Sequence, residues 1–116
     1  MNGAPGWQRW REPQVHRALL ESSGRLLLMF GRRACGTCRL AEARVPALAG
    51  SRVDALVYLD ADDCGGLVRE FGVFHLPAMF LFRDGMFHAP LEAPLQPEVF
   101  AAAIDTAYAA AAQEAP

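Results

Sequence analysis

The sequence predicts an α/β fold, a central mixed β-sheet flanked by helices. Three observations predict it. Leu26–Phe30, Val53–Leu59 and Ala78–Phe82 are largely apolar runs of strand length, the pattern of strands buried on both faces. Helical patterns separate them, and strands joined through helices lie parallel. After the third run, Asp84-Gly85 is a hairpin signal that adds an antiparallel edge strand.

The elements follow in order. Residues 1–12 are rich in Gly, Pro and Arg and read as an N-terminal arm, with Trp7 and Trp10 packing back on the body. Pro13, at a first helical position, and Val15, Ala18 and Leu19 predict a short amphipathic helix that Ser22-Ser23-Gly24 ends. Leu26–Phe30 is the first strand, bounded by Gly24 and Gly31. Gly36 to about Ala49 has helical composition, and Pro46 should kink or shorten that helix. Val53–Leu59 is the second strand. Asp60-Ala61-Asp62-Asp63 reads as a solvated turn that caps a helix presenting Leu67, Val68 and Phe71, which Gly72 closes. Ala78–Phe82 and Met86–His88 form the hairpin. Pro97 opens a last helix through about Ala112, with Val99, Phe100, Ala103, Ile104 and Ala107 inward. The expected organisation is an arm at 1–12, one folded domain at 13–112 and a disordered, Ala-rich tail at 113–116.

Composition bounds the function. The chain has 116 residues, enough for one core and no second domain. With 53% hydrophobic and 21% charged residues it is globular. A formal net charge of -2 argues against nucleic-acid binding. No apolar run is long enough for membrane insertion, and the N-terminus lacks the apolar core of an export signal, so a cytoplasmic location is expected. All 11 basic residues are arginine, which excludes chemistry needing a lysine amine.

The three cysteines are Cys35, Cys38 and Cys64, and an odd number in a core-rich chain is not a disulfide framework. Cys35-Gly36-Thr37-Cys38 follows a buried strand and opens a helix. A helix N-terminus carries partial positive charge and unpaired N–H groups, which stabilise a thiolate and lower the pKa of a cysteine placed there. Cys35 occupies that place, with Arg32, Arg33 and Arg39 adding positive field. Cys38 lies one turn inside the helix. Cys35 is therefore the expected attacking sulfur and Cys38 the resolving one. Zinc is the competing reading of the pair; its further ligands would come from Cys64, His16, His75 and His88, which show no paired spacing. Cys64 reads as a free thiol at a helix start, with a regulatory or intermolecular disulfide as the alternative.

At these residues the chain resembles the thioredoxin superfamily. Besides the C-x-x-C pair, His75-Leu76-Pro77 directly precedes the third strand, with Pro77 39 residues after Cys38. Phe80-Leu81-Phe82-Arg83-Asp84-Gly85 is similar to the strand and turn that follow, and Leu59-Asp60-Ala61-Asp62 with Phe71-Gly72-Val73 matches further. The resemblance implies a three-layer fold and a cis bond before Pro77, which faces the cysteines. It implies a substrate groove containing Ala34, Gly36, Thr37, His75, Leu76 and Ala93. His75 is either a solvated loop histidine or a residue that tunes Cys35. Four family features are altered: the tryptophan before the first cysteine is Ala34, the buried acid is Met29, the lysine near it is Tyr58, and the groove glycine is Ala93. The family's first strand is not evident before Pro13. Glu42, four residues after Cys38, is expected near it as its proton acceptor, with a raised pKa. The competing reading pairs Glu42 with Arg39 or Arg44 at the surface.

The implied function is thiol–disulfide oxidoreductase. Protein disulfides are its substrates, a flavin-dependent reductase or another dithiol protein is its electron donor, and no cofactor or metal is required. The alternative is a thioredoxin-fold adaptor or assembly chaperone that binds a protein partner without redox turnover. Ala34, Met29 and Ala93 favour the alternative, and the intact cysteine pair opposes it.

Overall fold

The computed structural model describes residues 5–116, so the first four residues of the expected arm lie outside the described residues. The described residues form five strands and four helices, in the order β1 (Trp7–Arg9), α1 (Glu12–Glu21), β2 (Arg25–Gly31), α2 (Gly36–Ala49), β3 (Ala55–Asp60), α3 (Gly65–Glu70), β4 (Ala78–Arg83), β5 (Met86–Leu91) and α4 (Pro97–Ala109). The sheet order is β1-β3-β2-β4-β5. β3 lies parallel to both β1 and β2, while β4 runs antiparallel to β2 and to β5. The sheet is mixed, as expected, but β4 is a correction: although a helix precedes it, it runs antiparallel to its neighbour β2, because the chain enters it from the opposite end of the sheet.

The period of two along a strand divides β2 between two cores. Leu27 and Met29 join the α2 residues Ala41 and Val45 and the α4 residues Phe100, Ile104 and Tyr108. Leu26, Leu28 and Phe30 join Val15 and Leu19 of α1 and Leu67 of α3 on the other face. The result is three layers.

Four further expectations are corrected. First, the arm contains a strand. β1 is three residues long with polar Gln8 and Arg9 exposed, so it carries no apolar run, and its pairing with β3 makes it visible only in three dimensions. Second, α2 is not shortened by Pro46 and runs to Ala49. A proline removes the N–H that would bond the carbonyl four residues earlier. That carbonyl belongs to Glu42, and the Trp7 indole N–H donates to it at 2.8 Å. Third, the acidic turn does not cap α3. Asp60 accepts from the Asp62 N–H at 2.9 Å within its own 3₁₀ turn, Ala61–Asp63, and the Leu67 N–H of α3 is satisfied by Glu12 of α1 at 2.9 Å. Fourth, α4 stops at Ala109 and the residues beyond it are irregular. The expected disordered tail is nevertheless placed, with the Gln113 N–H donating to the His88 carbonyl at 2.7 Å. β5 is an edge strand, and its free carbonyl accepts the passing chain. The hairpin turn is as expected. Asp84 and Gly85 both have positive φ, 51° and 81°, the turn whose twist matches the flanking strands.

Candidate active site

β2 delivers the chain to one end of the sheet, where Arg32, Arg33 and Ala34 turn it into α2. The Cys35 N–H bonds the Arg32 carbonyl at 3.1 Å and closes that turn. Cys35 is the N-cap of α2. Its backbone is extended, and its sulfur accepts the Cys38 N–H at 3.1 Å. A side chain that accepts one of the first helical N–H groups is what caps a helix, and here the acceptor is sulfur. The Thr37 hydroxyl lies 3.3 Å from the same sulfur. Cys38 is wholly buried, and a disulfide joins it to Cys35 across a Cα separation of 5.2 Å.

The Leu76–Pro77 peptide bond is cis. Pro77 and Ala93 wall a groove with Thr37, while His75 and Leu76 share a second groove with Cys35. Exposed His75 contributes to both. Ala34 and Gly36 are exposed on the loop and in the first helical turn, and line neither groove.

Beneath α2, Met29 and Tyr58 are register partners on β2 and β3. The Tyr58 hydroxyl is raised by burial and by the Glu42 carboxylate, with Arg9 opposing. A Cβ on Gly31 would lie 2.6 Å from that hydroxyl, so glycine is required where the chain leaves β2.

Glu42 is corrected. Its carboxylate pairs with Arg9 of β1, whose guanidinium also lies 4.3 Å above the Tyr58 ring. It pairs with neither Arg39 nor Arg44 and makes no hydrogen bond to Cys38. Both readings from the sequence looked along the helix, and the partner comes from a strand that was not foreseen. Cys64 is a buried free thiol, raised by burial and then by Glu12, Asp63 and Asp60. His16 pairs with Glu70 at 3.2 Å, and buried His88 bonds the Ala107 carbonyl at 2.7 Å. Among the described residues no three His, Cys, Asp or Glu side chains are grouped to hold a metal.

Among the groove residues that escaped the sequence reading are Leu40, half-exposed on α2, and Phe74, 92% exposed. The signal for Phe74 was a large aromatic residue in a loop, next to His75-Leu76-Pro77.

No protein-family model matches the chain. It is 36% identical over 76 residues to thioredoxin X, chloroplastic, of Arabidopsis thaliana, covering 64% of this chain and 42% of that one. It is 33% identical over 79 residues to thioredoxin H2 of the same plant, covering 66% and 57%. To the M-type chloroplastic thioredoxin of Chlamydomonas reinhardtii it is 33% identical over 69 residues, covering 58% and 49%. The chain thus spans about half the length of the curated relatives it matches. A mutant thioredoxin from Halobacterium salinarum NRC-1 superposes with a TM-score of 0.66 at 24% identity, over 99% of this chain and 96% of that one. The chain has the thioredoxin fold and is similar in sequence to thioredoxins. β1 supplies an edge strand that the sequence did not reveal. Of the four altered positions, Met29 and Tyr58 lie side by side under α2, next to the Arg9–Glu42 pair.

Proposed function

We propose that the chain is a thiol–disulfide oxidoreductase that exchanges disulfides with protein substrates through Cys35 and Cys38. The observation that carries this reading is Cys35 itself. Its sulfur caps a helix, faces an N–H and a hydroxyl, and is bonded to a buried second cysteine beside a groove.

The chemistry follows from that placement. In the reduced pair, the Cys35 thiolate is stabilised by the Cys38 N–H, the Thr37 hydroxyl and the helix N-terminus. It attacks one sulfur of a substrate disulfide, forming a mixed disulfide and expelling the other substrate sulfur as a thiolate, which takes up a proton. Cys38 loses its proton and attacks the Cys35 sulfur. The second substrate thiol leaves and the Cys35–Cys38 disulfide forms. Two electrons pass from the protein to the substrate. A flavin-dependent reductase or another dithiol protein returns them. Pro77, His75, Leu76, Thr37 and Ala93 form the surface along which the substrate lies, with Ala34 and Gly36 at its exposed end. Net reduction requires a compartment whose thiol pool keeps the pair reduced, the cytoplasm being one.

The mixed disulfide is the test. With Cys38→Ser, a covalent adduct through Cys35 should accumulate on an oxidised protein substrate. With Cys35→Ser it should not, and trapping that requires Cys38 would reverse the assignment. Insulin reduction by the unaltered protein separates turnover from the adaptor reading. That second reading draws on Met29, which packs under α2, and on the Glu42 carboxylate held by Arg9.

A further inference from the structure

Two grooves of different chemistry meet at the cysteine pair. The first is walled by Thr37, Leu40, Phe74, Pro77, Ala93 and Leu95, and the carboxylate on it is Glu92. The second is lined by Arg32, Cys35, Arg69, Phe74 and His75. Phe74 and His75 belong to both and form the ridge between them. Of the large apolar side chains left in water, Leu40 at 49% and Phe74 at 92% stand on the first groove. Arg69 on the second groove is exposed with no carboxylate partner among the described residues, as are Arg33 and Arg39, which flank the cysteine pair in the chain. Arg39 donates to the Arg33 carbonyl at 2.9 Å, which folds it over the loop before Cys35. Asp62 is held by Arg32 at 2.8 Å, and Asp60 by its own turn. Asp63 is the exposed acid left on that edge, so the local excess is positive in a chain of net charge -2.

A substrate that presents sulfur to Cys35 lays its flanks in both grooves. We propose that the preferred substrate is an extended segment with a large apolar side chain on one side of its cysteine and an acidic side chain on the other. The apolar side chain packs on Phe74 and Leu40, and the acidic one faces Arg69. Burial of apolar surface provides affinity, while opposite charge steers the encounter and sets direction. Phe74 and Arg69 are then specificity residues. The inference rests on the oxidoreductase reading.

Single-turnover oxidation of the reduced protein by symmetrical peptide disulfides tests it. In each, Cys35 displaces one peptide thiol and Cys38 the other, so both electrons are accounted for. The peptides carry Phe and Asp, Ala and Asp, or Phe and Arg beside the cysteine, in both orders. The Phe/Asp peptide should react about tenfold faster than Ala/Asp. It should also outpace Phe/Arg by a margin that shrinks as salt is added. Phe74→Ala should bring the Phe-to-Ala ratio close to one, and Arg69→Glu should invert the Asp-to-Arg ratio. Each ratio is read within one variant, so a loss of folded protein cancels. Equal rates for all peptides, or ratios that survive both substitutions, overturn the proposal. Bis(2-hydroxyethyl) disulfide has neither flank. A protein that reduces it without discriminating among peptides keeps its redox function and loses this specificity, and one that reduces no disulfide loses both.

Discussion

Thr37 makes the first helical turn more than a backbone cap. Its hydroxyl, 3.3 Å from the Cys35 sulfur, adds a side-chain donor to the N–H that caps the helix. A donor favours the thiolate over the thiol, and a hydrogen bond of this kind contributes about 0.5–1.5 kcal/mol. Thr37→Val keeps the shape and removes the donor. Alkylation of Cys35 in the reduced protein should slow roughly two- to tenfold near pH 7. The rates should converge at alkaline pH, where both proteins are ionised. Identical rates at pH 7 would show that the hydroxyl does not act on the sulfur. Cys64 offers an internal contrast, since the same element type starts there but burial and neighbouring carboxylates push its thiol up.

Among the elements, α2 and β1 depend on each other. Pro46 leaves the Glu42 carbonyl without its helical partner, and the Trp7 indole supplies one at 2.8 Å. Trp7 also packs edge-on against Tyr58, and Arg9 pairs with the Glu42 carboxylate, so a three-residue strand holds the helix that carries both cysteines. An orphaned buried carbonyl costs about 1–3 kcal/mol. Trp7→Phe should therefore destabilise the protein by about that amount. Pro46→Ala restores the helical N–H, and in that background the same substitution should cost about 1 kcal/mol less. Urea denaturation of the four proteins measures the coupling. A coupling near zero would mean that the Trp7 N–H is not a replacement for the lost helical bond.

Across the whole molecule, Tyr108 ties α4 to both halves of the sheet. Its hydroxyl donates to the Phe82 carbonyl at 2.8 Å, near the point where the β4–β5 register slips. Its ring stacks near His88 and lies under Arg25 and Arg83. Burial pushes the phenol up to about 12, against the pull of the two arginines. The folded value is raised above the unfolded value of about 10, so the neutral phenol is favoured by folding. That stability is present in full below about pH 10 and is lost as pH rises towards 12, roughly 2–3 kcal/mol in all. The absence of lysine removes the groups that ordinarily titrate in this window, leaving the Tyr58 phenol and the Cys64 thiol, both also raised, in Tyr108→Phe and the unaltered protein alike. Denaturation midpoints should fall between pH 10 and 12, and Tyr108→Phe should flatten the fall while lowering stability at neutral pH. An equally steep fall in the variant would place the titrating group elsewhere.

What the sequence determined by itself is local or periodic. Leu26–Phe30 could be read as a doubly buried strand because a run without polar residues has no solvent face. The hairpin was legible because Asp84 and Gly85 take up positive φ, which few residues tolerate. The cysteine spacing and Pro77 located the site because helix-start chemistry is written in neighbouring residues. The tertiary structure alone decided β1, whose three residues have no burial pattern and gain strand form only by pairing with β3. It alone decided the continuity of α2, since the donor that compensates Pro46 comes from 39 residues earlier in the chain. It also gave Glu42 to Arg9, 33 residues away, and set Phe74 on a ridge between two grooves. The physical reason is common to all of these. Hydrogen bonds, ion pairs and exposure depend on which distant segments fold together, and no local pattern encodes that.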